Sequence, residues 1–229
     1  MLRMRYFRLA VPEDFWTVAS EIPDKVRSGP TENISISQRA PHEIILRYRT
    51  IRQITTCQIL PDDSIVNTTI PTMSQYAIRI FQRGDTYLSI IDPPQGSKVI
   101  ASVLNDILAE KRYSFEPLEI NLPMIERHVA AFDAARLVSA KVKDFQVYEG
   151  AVGRLEIASK SGLKPEIAPF IGNKFHRIES LTYEITHGFV QGLVQYSSSG
   201  TVKVSSQLVE KAFPLFELGL ERRAFKPSN

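Results

Sequence analysis

The chain has 229 residues, enough for one large domain or two small ones with a full apolar core. Its 43% apolar and 23% charged residues are those of an ordinary soluble globular protein, and a net charge of +3 permits a polyanionic partner without demanding one. A single cysteine, Cys57, excludes an intramolecular disulfide and a multi-cysteine zinc site and fits a reducing compartment.

The opening run "MLRMRYFRLAV" interleaves arginines with apolar residues. That alternation spoils a signal-peptide core and predicts a strand over Arg5–Ala10. No apolar run approaches the ~18 residues of a membrane helix, so the expected location is cytoplasmic, away from membranes. "VPEDFWTVAS" predicts a short helix over Pro12–Ile22, with Pro12, Glu13 and Asp14 in its first turn. The Gly-, Pro- and Ser-rich stretch Pro23–Glu32 reads as a loop.

A β-rich region follows: "NISISQRA", "EIILRYRTIRQITTCQIL", "SIVNTTI" and "SQYAIRIFQRGDTYLSIID". Its β-branched and aromatic content, punctuated by "PDDS" and "RGD", predicts antiparallel strands. Cys57 lies in an alternating run and is expected as a buried, inert thiol. After "PPQG", a helix is predicted from Ser97 to about Lys111, with Val99, Ile100, Val103, Leu104, Ile107 and Leu108 on one face.

From Phe115 the order begins again. "SFEPLEINL" reads as a strand and "PMIERHVAAFD" as a short helix. "LVSAKVKDFQVYE" and "GRLEIAS" read as strands, and "SLTYEITHGFVQGLVQYS" as a hairpin. A closing helix is predicted from Val204 to Leu218, with Leu208, Val209, Ala212, Phe213 and Phe216 on one side. Pro12, Val18 and Ala19 match Pro123, Val129 and Ala130. Arg47 and Arg49 fall opposite Lys141 and Lys143, Tyr76 and Ile78 opposite Tyr183 and Ile185, and Lys98 and Val99 opposite Lys203 and Val204.

The expected fold is therefore α+β. Two β-α-β-β-β-β-α pseudo-repeats, residues 1–114 and 115–229, form a curved antiparallel sheet with helices on one face. This order resembles the TATA-box-binding-protein fold, a saddle of two such halves. The resemblance spans nearly the whole chain and rests on element order and duplication, without a matched motif. It implies an open sheet face that binds DNA, or a scaffold for protein assembly.

Strand alternation puts Arg47 and Arg49 on one side of "ILRYRTI", and Lys141 and Lys143 on one side of "SAKVKDF". With Arg79 and Lys203 they are the expected contacts to DNA or RNA phosphates.

Catalytic signals are sparse. His42, His128, His176 and His187 are scattered; His128 is expected at a helix surface or end, and His176 and Glu179 share an i, i+3 spacing. Asp62 and Asp63 sit in a turn signature, and "RGD" marks a hairpin turn. No phosphate-binding loop, dinucleotide fingerprint or nucleophile elbow is written in the chain. No cofactor and no metal site are expected. The leading expectation is a non-catalytic nucleic-acid-binding module. The alternative is a protein-assembly subunit that docks partner chains through a sheet edge or helix face. An RNA-processing enzyme on tandem α+β repeats comes third, without the glycine-rich C-terminal loop such enzymes carry.

Overall fold

Alternating apolar and polar residues make most of this chain strand, and the paired strands are antiparallel. A computed structural model describes residues 1–94, 96–108, 112–149, 151–163 and 177–220. The order begins β1 (Leu2–Ala10), α1 (Phe15–Glu21), β2 (Lys25–Ser28), β3 (Glu32–Ala40), β4 (Glu43–Ile59), β5 (Ile65–Arg83), β6 (Asp85–Ile91) and α2 (Lys98–Leu108). It continues with β7 (Ser114–Pro117), α3 (Leu122–Val129), β8 (Ala134–Tyr148), β9 (Ala151–Ala158), β10 (Arg177–His187), β11 (Val190–Ser197) and β12 (Thr201–Val204). A 3-10 turn at Ser206–Leu208 leads into α4 (Val209–Leu218). Helix is the smaller share, and α2, at 11 residues, is the longest described helix.

The chain folds as two compact units, each drawn from separate segments. The larger comprises Met1–Leu9, Gln82–Asp92 and Phe115–Asn229; the smaller comprises Ala10–Phe81 and Pro93–Ser114.

In the larger unit the strand order is β6-β1-β12-β11-β10-β8-β9, with β7 also paired to β1. One face of this sheet presents Met4, Tyr6, Val194, Tyr196, Val202 and Val204, all buried. The apolar sides of α3 (Met124, Ile125) and α4 (Ala212, Phe213, Phe216) are buried with them. The Tyr6 and Phe216 rings lie 5.0 Å apart. Asn121 caps α3, its side chain accepting the Met124 N–H at 3.2 Å, and Pro123 occupies the first turn, where no N–H is needed.

In the smaller unit the order is β2-β3-β4-β5. Ile34, Ile44, Leu46, Tyr48, Ile78 and Ile80 form its buried sheet face. All six α2 positions expected inward, Val99 to Leu108, are buried. Arg27 of β2 ties to Asp106 of α2 and to Glu32 of β3.

Several expectations give way. β2 occupies part of the stretch expected as loop, because Lys25–Ser28 finds β3 as a partner. Among the described residues, five strands, not four, follow α1 and again α3. "SIVNTTI" and "SQYAIRI" are one strand, β5, running through Pro71 opposite Gln53. α1 starts at Phe15, so Glu13 and Asp14 precede its first turn. α2 ends at Leu108; the Lys111 end of its expected range lies outside the described residues. The closing helix begins at Val209, because Thr201–Val204 pairs with β1 and β11 as β12. Lys98 and Val99 therefore open a helix while Lys203 and Val204 lie in a strand, which removes that matched pair. Cys57 is exposed rather than buried. Among the described residues, no helix is long and apolar enough to cross a membrane.

β4 and β5 continue together well past the rest of their sheet. They pair in unbroken register from Glu43↔Phe81 to Ile59↔Ile65, while β3 follows β4 only as far as Thr50. Residues 51–59 and 61–73 are all exposed. The result is a two-stranded ribbon about 30 Å long, at the usual ~3.4 Å per residue. Its tip closes through Asp63 N–H to Leu60 O and Leu60 N–H to Ser64 O, both 2.9 Å, with Asp63 left-handed at φ 63°. Asp62 accepts the Ser64 hydroxyl at 2.6 Å and its N–H at 3.1 Å, which holds this carboxyl below the usual carboxylate range.

Candidate nucleic-acid interface

Cross-strand partners in an antiparallel sheet share a face, so the register of the larger unit fixes what its second face carries. One row runs Arg3, Lys203, Gln195, Thr182 and Ser139 across β1, β12, β11, β10 and β8. The next runs Arg5, Thr201, Ser197, Ser180, Lys141 and Glu156, ending on β9. Every side chain in these rows is polar or charged. The alternate positions Met4, Val202, Tyr196, Leu181 and Ala140 supply the buried face.

These rows enclose a depression of about 300 Å³. Three cations, Arg3, Lys141 and Lys203, line it with one carboxylate, Glu179. Ser180, Ser197 and Thr201 add hydroxyls, and Gln195 adds an amide. Lys141 meets Glu156 at 2.9 Å, an exposed pair worth less than ~1 kcal/mol and open to exchange for another anion. Arg5 sits beside this group with its guanidinium 5.0 Å from the Phe7 ring. A cluster of donors with excess positive charge on a polar sheet face can hold a phosphate or another oxyanion by charge-assisted hydrogen bonds.

Two of the six residues expected from sequence, Lys141 and Lys203, thus meet in one place. Lys143 does not join them. It lines a separate depression with Arg177 and the start of α3, including Asn121 and Leu122. Arg47 and Arg49 lie in the smaller unit, exposed, on the side of β4 opposite the buried Leu46 and Tyr48. Arg79 shares their side of the β4–β5 pair. Its guanidinium grips both Glu43 oxygens at 2.9 Å and lies 4.5 Å from the Phe81 ring, so it holds its own sheet together.

Arg3 is the residue that sequence reasoning missed. Its signal was present in "LRMRYF", where alternation puts Arg3 and Arg5 on one face. Only the pairing of β1 with β12, whose last residue Val204 is expected from sequence to open the closing helix, brings Arg3 beside Lys203.

The histidines take other places. His128 is buried, 3% exposed, not at a helix surface. Its Nδ1 lies 2.7 Å from the Tyr196 hydroxyl, and burial pushes its pKa down to about 4, opposed in part by the Ala212 backbone. Burial likewise pushes the Tyr196 phenol well above its ordinary range. His187 lies 3.7 Å from Asp133, and the His42 ring packs edge-on against Trp16. His176 is outside the described residues, and Glu179 is in a strand, not a helix. Among the described residues, no three His, Cys, Asp or Glu side chains converge as metal ligands.

A scan against protein-family models finds no match for this sequence, and no curated protein matches it.

Proposed function

We propose that the chain is a non-catalytic nucleic-acid-binding module that reads the phosphate backbone through the polar face of its antiparallel sheet. The observation that carries this reading is the convergence of Arg3, Lys141 and Lys203 on one hydroxyl-lined depression. Arg47 and Arg49 supply a second basic strip on the smaller unit, exposed and in register on one strand. Lys143, with Arg177, is a further cationic group outside the depression. The partner is DNA or RNA, bound by charge more than by sequence.

Among the described residues, the order strand, helix, five strands, helix occurs in residues 1–114 and again after 114, which supports two pseudo-repeats, although the five strands pair in sequence order in the first half and with β8 between β9 and β10 in the second. Tyr76 and Ile78, like Tyr183 and Ile185, lie in strands, with both isoleucines fully buried. This element order supports the proposed resemblance to the TATA-box-binding-protein fold, a family whose open sheet face suits the same ligand.

Replacing Arg3, Lys141 and Lys203 together by Ala tests the reading. Binding of labelled single-stranded or duplex nucleic acid should weaken strongly at low salt, with the far-ultraviolet circular dichroism unchanged. Unchanged binding would end the assignment of this depression.

The second reading is a protein-assembly subunit. The exposed isoleucines of the β4–β5 ribbon favour it, because large apolar side chains clustered on a two-stranded arm mark a docking surface.

A further inference from the structure

The β4–β5 ribbon carries a pattern that identifies its partner. Arg52 is the one charged residue within Ile51–Ile59 and Ile65–Met73. Loss of charge is the compositional mark of an interface core. On one side of the ribbon, register pairs Ile51 with Met73 at the root, Thr55 with Thr69 in the middle and Ile59 with Ile65 near the tip. The Thr55 and Thr69 hydroxyls touch at 3.1 Å, which confirms their shared side. The four apolar residues are 39, 59, 68 and 63% exposed, in the order Ile51, Met73, Ile59, Ile65.

The apolar pairs on this side lie symmetrically about its centre, with Gln53 and Pro71 between on the root half and Cys57 and Asn67 between on the tip half. Four residues separate Thr55 from Ile51 in one direction and from Ile59 in the other, and the same holds for Thr69, Met73 and Ile65. The charges beyond the apolar pairs are of opposite sign. Arg47 and Arg49 stand at the root on this same side, and Asp62 and Asp63 form the tip. Among the described residues, neither arginine has an ion-pair partner within its own chain.

We propose that the ribbon stacks on the same ribbon of a second copy, antiparallel, about a twofold axis through the Thr55–Thr69 pair. Ile51 and Met73 of each copy pack on Ile59 and Ile65 of the other, and each acidic tip lies along the other's Arg47 and Arg49. A self-complementary patch of this kind closes after two copies, as an isologous interface must. The inference deepens the assembly reading and stands apart from the anion-binding depression of the larger unit. It competes with nucleic acid only for Arg47 and Arg49.

Sedimentation equilibrium of the full chain, without nucleic acid, is the test. The wild type should sediment as a concentration-dependent dimer. Ile59→Lys combined with Ile65→Lys should weaken the dimer by more than about tenfold while leaving the circular dichroism spectrum intact, since both residues are exposed. Arg47→Asp with Arg49→Asp should also weaken it, and adding Asp62→Arg, which leaves the left-handed Asp63 in place, should restore it in part. That restoration separates the dimer from the nucleic-acid reading, which the threefold exchange does not repair at the root. A wild type that stays monomeric at every concentration overturns the proposal. So does a dimer indifferent to these substitutions, or a charge exchange that fails to restore association.

Discussion

His128 shows how one buried ring couples this fold to pH. Its neutral form packs against Phe132, Tyr196 and Phe216, with ring centroids 5.1 to 5.6 Å away. With a folded pKa of about 4 against an ordinary 6.5, the unfolded chain binds the proton more readily. The stabilisation is therefore complete above about pH 6.5 and is lost as pH falls toward 4, by up to ~3 kcal/mol. Denaturant titrations at pH 7 and pH 4.5 should show this loss in the wild type and a smaller one in His128→Gln. Gly200 is a second fixed point. It adopts φ 84°, its carbonyl accepts the Tyr6 N–H at 2.8 Å, and an added Cβ would sit 2.7 Å from the Tyr6 carbonyl oxygen. Gly188 also has positive φ, at 60°, but open space around it. Gly200→Ala should therefore cost at least ~2 kcal/mol, and Gly188→Ala only ~1 kcal/mol, in denaturant midpoints. Equal losses at the two sites would refute the steric argument.

Elements differ in how openly the sequence declares them. α2 was legible because six apolar side chains recur at helical spacing, and all six are buried. The "PDDS" and "RGD" turns were legible because Asp63 and Gly84 supply the positive φ their turns need. β2 and β12 were not. Each has four residues, too few to show alternation, and each exists because a longer neighbour offers a free edge. "SIVNTTI" and "SQYAIRI" join through Pro71 because it sits in an exposed ribbon, where a missing N–H costs little. The polar face was half legible. Alternation assigned Lys141 its side, but Arg3 needed the register of β1 on β12, which pairs residues some two hundred positions apart. The ribbon itself adds nothing to the core. Replacing residues 52–72 by an Asn-Gly turn between the paired Ile51 and Met73 should leave the melting temperature within a few degrees, followed by circular dichroism. A large drop would mean that the ribbon supports the fold.

At the scale of the molecule, each unit divides its labour between the two sides of its strands. In the larger unit α3 and α4 bury one side, and a polar side with Arg3, Lys141 and Lys203 remains open. In the smaller unit the core takes Leu46 and Tyr48, and Arg47 and Arg49 face away. Surface cations of this sort contribute within ~0.5 kcal/mol to stability, so replacing them should leave the fold intact. Phosphate binding by such groups is driven by counterion release, which makes salt the sharpest probe of the account. The log-log slope of affinity against salt should approach −0.7 per contacted phosphate for single strands and −0.9 for duplex, by the usual rough values. Fluorescence anisotropy with labelled DNA and RNA, titrated at several salt concentrations, measures it for the wild type and for Lys141→Ala combined with Lys203→Ala. Nucleic-acid binding through this face requires steep salt dependence in the wild type and a slope reduced by up to about two in the variant. Absence of salt-sensitive binding in the wild type, or an identical slope in the variant, would contradict it.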